Sequence, residues 1–171
     1  MNVFIICDME GIAGINHWDQ VQARGYLYHE GRTLYTEEVN AAIRGARAAG
    51  ATNITVLDGH GAGGIEPCCK FNSLRPDLID PDVTLITGNR YLKYTDIMRE
   101  GAFECALFVG IHSMENTPRG VLAHTISSTV WEAIWINDTK VGEIGVMSAL
   151  VGEFGIPMAM IAGDRAACDE G

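Results

Sequence analysis

The sequence predicts an α/β domain whose mostly parallel sheet is flanked by helices. Apolar runs alternate with segments of helical spacing along the chain, which is the signature of repeated strand–helix–strand units. Several runs are continuously apolar, Val3-Phe4-Ile5-Ile6 and Ala106-Leu107-Phe108-Val109 among them, as expected of strands covered on both faces. A length of 171 residues is enough for one such domain with its own core.

Each element has its own signal. The first strand, from Val3, ends abruptly at Asp8-Met9-Glu10-Gly11. A loop from Ile12 to about Tyr28 follows, carrying His17 and Trp18. A helix is expected from Glu30 to Ala49, because Leu34, Val39, Ala42, Ile43 and Ala46 recur at helical spacing and Gly50 is a C-cap signal. Strand two is Ile54 to Leu57 and runs into Asp58-Gly59-His60-Gly61-Ala62-Gly63-Gly64. Pro67, Pro76 and Pro81 mark the next stretch as irregular. Strand three is expected over Val83 to Thr87, a short helix over Thr95 to Gly101, and strand four over Cys105 to Gly110, leading to Ile111-His112. An extended piece from Gly120 to Thr125 carries His124. Val130 to Ile136 reads as a strand, Asn137-Asp138 as a turn, and Lys140 to Glu143 as its hairpin partner. A helix over Val146 to Phe154 and a last strand over Pro157 to Ala162 close the pattern. No repeat or low-complexity linker divides residues 1–171.

Composition narrows the function. With 47% hydrophobic residues the chain is globular rather than disordered. Its formal net charge of −10 argues against nucleic acid as a partner, since phosphates need an excess of Lys and Arg. No apolar run reaches the length of a membrane span. Met1-Asn2 leads directly into a strand without a basic leader or cleavage signal, so a cytoplasmic protein is expected. The five cysteines, Cys7, Cys68, Cys69, Cys105 and Cys168, are odd in number and form no CxxC. They fit neither a disulfide framework nor a thiolate zinc site.

The strand ends carry the chemistry. In extended backbone residues i and i+2 point the same way, so Asp8 and Glu10 converge. Two adjacent carboxylates are either a solvated strand end or half of a metal site, because their repulsion calls for a cation. The second run ends in Asp58 and His60, and the fourth in His112. In a parallel sheet these ends share the edge where α/β folds bind ligands. Two carboxylates and two imidazoles there suit zinc, manganese or iron. By themselves, Glu143 reads as a helix-start acid and His124 as a half-buried histidine.

At this point the motifs carry a resemblance. Asp8-Met9-Glu10-Gly11, Asp58-Gly59-His60, Gly110-Ile111-His112, Thr117-Pro118 with Ala123-His124-Thr125, and Val141-Gly142-Glu143-Ile144-Gly145 stand in the order and spacing of the DppA-type D-aminopeptidases. Gly31-Arg32 with Thr36-Glu37-Glu38, and Ala162-Gly163-Asp164-Arg165-Ala166-Ala167, extend the similarity from the first strand to the last residues. The resemblance implies a metallo-aminopeptidase with two zinc ions per chain. It would act on short peptides with D-residues at the amino end and assemble as a ring-stacked homo-oligomer, a decamer in scale. Asp8 would bridge the metals, with Glu10 and His60 completing one site and His112 and Glu143 the other. His124 would be the catalytic histidine, by proton transfer or by direct attack. Asp58 is either an orienting partner of His60 or a turn residue. Cys7 departs from the family, where a smaller or β-branched residue is expected. Family members also run on for roughly another hundred residues, on the scale of a second domain, so residues 1–171 are expected to be the metal-binding catalytic domain without the family's C-terminal one.

Two other classes compete. Gly59 to Gly64 after a strand could cradle an anion, giving a phosphate- or nucleotide-binding module or a metal phosphoesterase, although no Walker-type Lys-Ser/Thr follows. A non-catalytic metal-binding homologue would keep the ligands but not need His124. His17 and Trp18 are read as packing over the domain in preference to bordering a substrate, His29 as solvated, Met147, Met158 and Met160 as core filler, and Arg32 and Arg165 as surface or interdomain ion-pair residues in preference to holders of a substrate carboxylate.

Overall fold

The computed structural model describes residues 1–63, 71–88 and 94–171. Gly64, Pro67 and the Cys68-Cys69 pair lie outside the described residues. The elements in order are β1 (Asn2–Cys7), α1 (Trp18–Val21), α2 (Tyr28–Ala48), β2 (Asn53–Asp58), β3 (Thr84–Ile86), α3 (Tyr94–Gly101), β4 (Cys105–Ile111), β5 (Ile134–Ile136), β6 (Thr139–Val141), α4 (Glu143–Glu153), β7 (Met158–Gly163) and α5 (Arg165–Glu170).

Five strands form one parallel sheet in the order β3-β2-β1-β4-β7, and β5 and β6 pair separately as an antiparallel hairpin. The expected α/β sheet is thus observed. The strand order reverses between β1 and β4, which creates a crevice beyond their carboxyl ends.

Alternation along the strands sends side chains into two cores. Val3, Ile5, Cys7, Val56 and Val109 pack under α2 against Tyr35, Val39 and Ile43. Phe4, Ile6, Leu57 and Phe108 pack on the other face with Met98, Ile144, Met147 and Val151. A strand buried on both sides gains nothing from polar alternation, hence the continuous apolar runs. The buried stripe of α2 is Gly31, Tyr35, Val39, Ile43 and Ala46, a little rotated from the expected one. Gly50 ends this helix with φ of +96°, the left-handed step that glycine takes without strain.

Several local expectations change. The loop before α2 holds the four-residue helix α1, capped by His17, whose side chain accepts from the Asp19 amide. The segment 120–125 is not extended. Arg119, Leu122 and Ile126 take positive φ of 64°, 49° and 61°, steps incompatible with a ladder. Only the last three residues of the expected Val130 to Ile136 strand pair, because β6 offers just three partners. Helix α4 begins at Glu143 itself rather than Val146, and α5 follows Asp164, whose carboxylate caps it through the Ala167 amide. Met160 is 38% exposed on the edge strand β7 rather than core filler.

Candidate metal centre

The crevice is closed by an unusually tight approach of β1 and β4. The Asp8 amide donates to the Val109 carbonyl at 2.9 Å and the Gly11 amide to the Gly110 carbonyl at 2.7 Å. A Cβ on Gly110, whose φ is +76°, would stand 2.2 Å from the Asp8 carbonyl oxygen. One on Gly11 would stand 2.0 Å from that of Ile111. Only glycine fits at either position, and this fit draws Asp8 and His112 together.

All six sequence-predicted residues meet here. Asp8, Glu10, His60, His112 and His124 are buried, and Glu143 is partly so. Asp8 presents its two oxygens to two different histidines. Oδ1 lies 3.0 Å from His60 Nδ1, and Oδ2 lies 3.5 Å from His112 Nε2. Glu10 Oε2 stands 3.1 Å from His60 Nδ1. Glu143 Oε1 stands 3.2 Å from His112 Nε2 and accepts the Ile126 amide at 2.7 Å. Among the described residues, two groups have donor atoms close enough to hold an ion, Asp8 with Glu10 and His60, and His112 with His124 and Glu143.

Main-chain carbonyls fix the imidazoles. His60 Nε2 is 2.7 Å from the Val21 carbonyl, His112 Nδ1 is 2.9 Å from that of Ser113, and His124 Nδ1 is 2.9 Å from that of Leu122. A carbonyl can only accept, so each of these nitrogens carries hydrogen. The opposite nitrogens of the neutral rings of His60 and His112 then aim lone pairs at carboxylate oxygens. Two lone pairs facing each other at about 3 Å repel unless a cation lies between them, a proton or a metal ion. His112 Nε2 and Glu10 Oε2 are buried without a hydrogen-bond partner among the described residues. This donor set of nitrogen and oxygen fits zinc.

The titration of these groups reports the same field. Burial opposes the charge on His60, yet Glu10 and Asp8 together push its pKa well above the ordinary value. Burial likewise opposes the charge on His112, but Glu143, with Asp8 and Glu10 behind it, raises the ring to about 10. Burial alone would raise Asp8, and His60 and His112 hold it well below the usual carboxylate range instead.

Asp58 meets His60 through the main chain. Its Oδ1 accepts the His60 amide at 3.3 Å and the Tyr35 hydroxyl at 3.0 Å, and its Oδ2 accepts the Leu74 amide at 2.7 Å. The group that orients the ring is the Val21 carbonyl. Sequence reading could not have found it, because any residue supplies a carbonyl. Trp18, read as loop packing, stands edge-on to His124 with ring centroids 5.5 Å apart. His124 in turn stacks on His112 at 3.8 Å. Arg32 holds the carbonyls of Ser73 and Leu74 rather than an acid, at 2.7 and 3.0 Å.

Beside the carboxylates opens a cleft of about 460 Å³. Glu10, His60 and His124 form its floor with Trp18, and Gly61 to Gly63, Arg24 and Ser127 to Thr129 also line it.

The whole chain, residues 1–171, matches the D-aminopeptidase family of peptidases (Peptidase M55). This chain belongs to that family. Its similarity to the D-aminopeptidase of Bacillus subtilis (strain 168) is 33% identity over 172 residues, covering 99% of this chain and 58% of the relative. Its fold is that of the solved Zn-dependent D-aminopeptidase DppA from Bacillus subtilis, a self-compartmentalizing protease, with a TM-score of 0.86 and 34% identity over 99% of this chain. The chain spans 58% of the length of that structure too. The phosphate- or nucleotide-binding alternative finds no support. The family match is to peptidases. Among the described residues no helix is long and apolar enough to cross a membrane.

Proposed function

We propose that this protein is a zinc-dependent aminopeptidase that removes the amino-terminal residue, a D-amino acid, from short peptides. The observation that carries this reading is the facing of two buried, carbonyl-fixed imidazoles and three carboxylates across one crevice, with ligand atoms left unpartnered.

In this reading two zinc ions would be held at the crevice, with Asp8 shared between the two sites. Glu10 and His60 would complete one site, and His112 and Glu143 the other. A zinc pair supplies Lewis acidity toward a scissile carbonyl and activates water at neutral pH. The chain's own residues do the rest. The Val21 and Ser113 carbonyls hold His60 and His112 in the ligating tautomer, and burial keeps bulk water from competing with the carboxylates. Leu122 holds the Nδ1 hydrogen of His124, which leaves Nε2 as the basic nitrogen that takes or delivers a proton, or attacks. The edge of Trp18 and the face of His112 restrict its ring to one plane. Working in the cytoplasm as a homo-oligomer, ring-stacked and decameric in scale, the protein would enclose its substrates as its self-compartmentalizing relative does.

Elemental analysis of purified protein beside an Asp8→Ala variant, together with peptides bearing D- or L-alanine at the amino end, tests this. About two zinc ions per chain, falling sharply in the variant, and turnover of the D-peptide are expected. A chain that takes up no metal on titration would sink the assignment.

A further inference from the structure

We infer that Arg24 is a specificity-determining residue that receives the terminal carboxylate of a short peptide, an inference that rests on the aminopeptidase reading. Among the described residues that line the cleft, Arg24 is the one permanent cation. It is exposed, and it makes no ion pair or side-chain hydrogen bond among the described residues. Of the other described arginines, Arg47 pairs with Asp80, Arg75 with Asp77, Arg99 with Asp96, Arg165 with Asp169, and Arg32 with loop carbonyls, while Arg44 and Arg119, which lie away from this cleft, also make no ion pair or side-chain hydrogen bond among the described residues.

Its position is also prebuilt. The Ala23 amide donates to the Ala62 carbonyl at 2.8 Å, tying this turn to the segment after β2 that bears His60. The Gly25 amide donates to the Gln22 carbonyl at 2.8 Å. A Cβ on Gly25 would lie 2.1 Å from the Asp19 carbonyl oxygen, so the turn after Arg24 closes onto α1 with no room for another residue type. Arg24 therefore projects from a fixed base on the wall of the cleft whose floor holds Glu10.

A short peptide is a zwitterion. Cleavage at the amino end places that end against the residues that would hold zinc, Glu10 and His60 among them, so the carboxylate end lies out along the cleft. A guanidinium on the wall matches the carboxylate as a planar fork and sets the direction in which the peptide lies. It also favours peptides short enough for both ends to be held at once.

The test compares D-alanyl-glycine with D-alanyl-glycinamide on full-length, zinc-loaded protein. The readout is the ratio of kcat/KM for acid over amide within each variant, which cancels any general loss of folded enzyme. The wild type is expected to prefer the acid by about tenfold or more, mostly through KM, as a charge-assisted pair implies. Arg24→Gln should bring the ratio near one, Arg24→Lys should leave it between, and Arg24→Glu should reverse it. An unchanged ratio in Arg24→Gln, or a wild type with no preference, overturns the role of Arg24 while leaving the aminopeptidase standing. Zinc-loaded wild type that cleaves neither peptide overturns both.

Discussion

Chelation is expected to invert the pH dependence of this protein's stability. Without metal, the cations that separate the lone pairs at the crevice are protons. His112 then titrates near 10 in the folded chain against an ordinary 6.5, and His60 also lies well above its ordinary value. A group whose folded pKa is raised gives stability that is complete below its unfolded pKa and lost as pH climbs through the folded one. The metal-free protein should therefore lose stability steadily between pH 6.5 and about 10. Asp8, held low by the same histidines, behaves oppositely, and its share disappears only in strong acid. For His112 alone, moving from 6.5 to about 10 sets a ceiling on the order of 5 kcal/mol. Relaxation of the site and entry of water at high pH would leave about half of that, about 2 to 3 kcal/mol. For a chain of this size that is a fall in Tm of about 4 to 12 °C across the window. In zinc-loaded protein the ligands bind as deprotonated groups, so stability rises with pH over its lower part. Thermal denaturation of chelated and reloaded protein at half-unit pH steps measures both slopes. A metal-free curve that is flat from pH 6.5 to 9 would refute the reasoning, because it would mean the imidazoles are not facing ionised carboxylates.

Further predictions concern single residues. Tyr35→Phe removes a hydroxyl 3.0 Å from Asp58 Oδ1 in the fully buried core, and should cost about 1.5 to 3 kcal/mol by chemical denaturation with little change in zinc content. Gly110→Ala forces a Cβ to within 2.2 Å of the Asp8 carbonyl at a positive φ, so it should lower both stability and zinc stoichiometry, read by calorimetry and elemental analysis. Asp164→Ala strips the cap of α5 and the 2.6 Å acceptor of the Val121 amide at once. It should cost about 1 to 2 kcal/mol and loosen the turn that carries His124, seen as faster amide exchange at 121–126. His124→Ala should lower kcat by about 10² to 10⁴ while the protein keeps its zinc, and equal loss of metal would instead make His124 a ligand.

Much of the fold was legible from apolar patterning because the sheet is parallel and doubly covered. Such strands are long enough, and apolar enough, to be recognised one at a time. Short or weakly patterned elements were not. α1 has four residues, α5 has six, and β5 is confined to three by the length of its partner. The turns through 119–126 were misread as extended because Val121, Leu122 and Thr125 have strand-like chemistry. What holds them is the side chains of Asp164, Glu143 and Thr125, all distant in sequence from the amides they accept or close only after folding. Four of the candidate site residues, Asp8, Glu10, His60 and His112, could be picked out for a different reason, whereas Glu143 and His124 came only from the resemblance. Chemistry at the ends of apolar runs is visible in one dimension, since a carboxylate or imidazole there is out of place in a core strand.

The sequence by itself determined which side chains are available at the sheet's carboxyl edge and, through its motifs, the family to which they belong. Tertiary structure alone decided their pairing. Asp8 divides its oxygens between His60 and His112 because the strand order reverses beside β1, a fact of topology that no local pattern encodes. The tautomer of each histidine was likewise settled by carbonyls of Val21, Ser113 and Leu122. Backbone oxygens are chemically the same at every residue, so only their placement in space gives them a role.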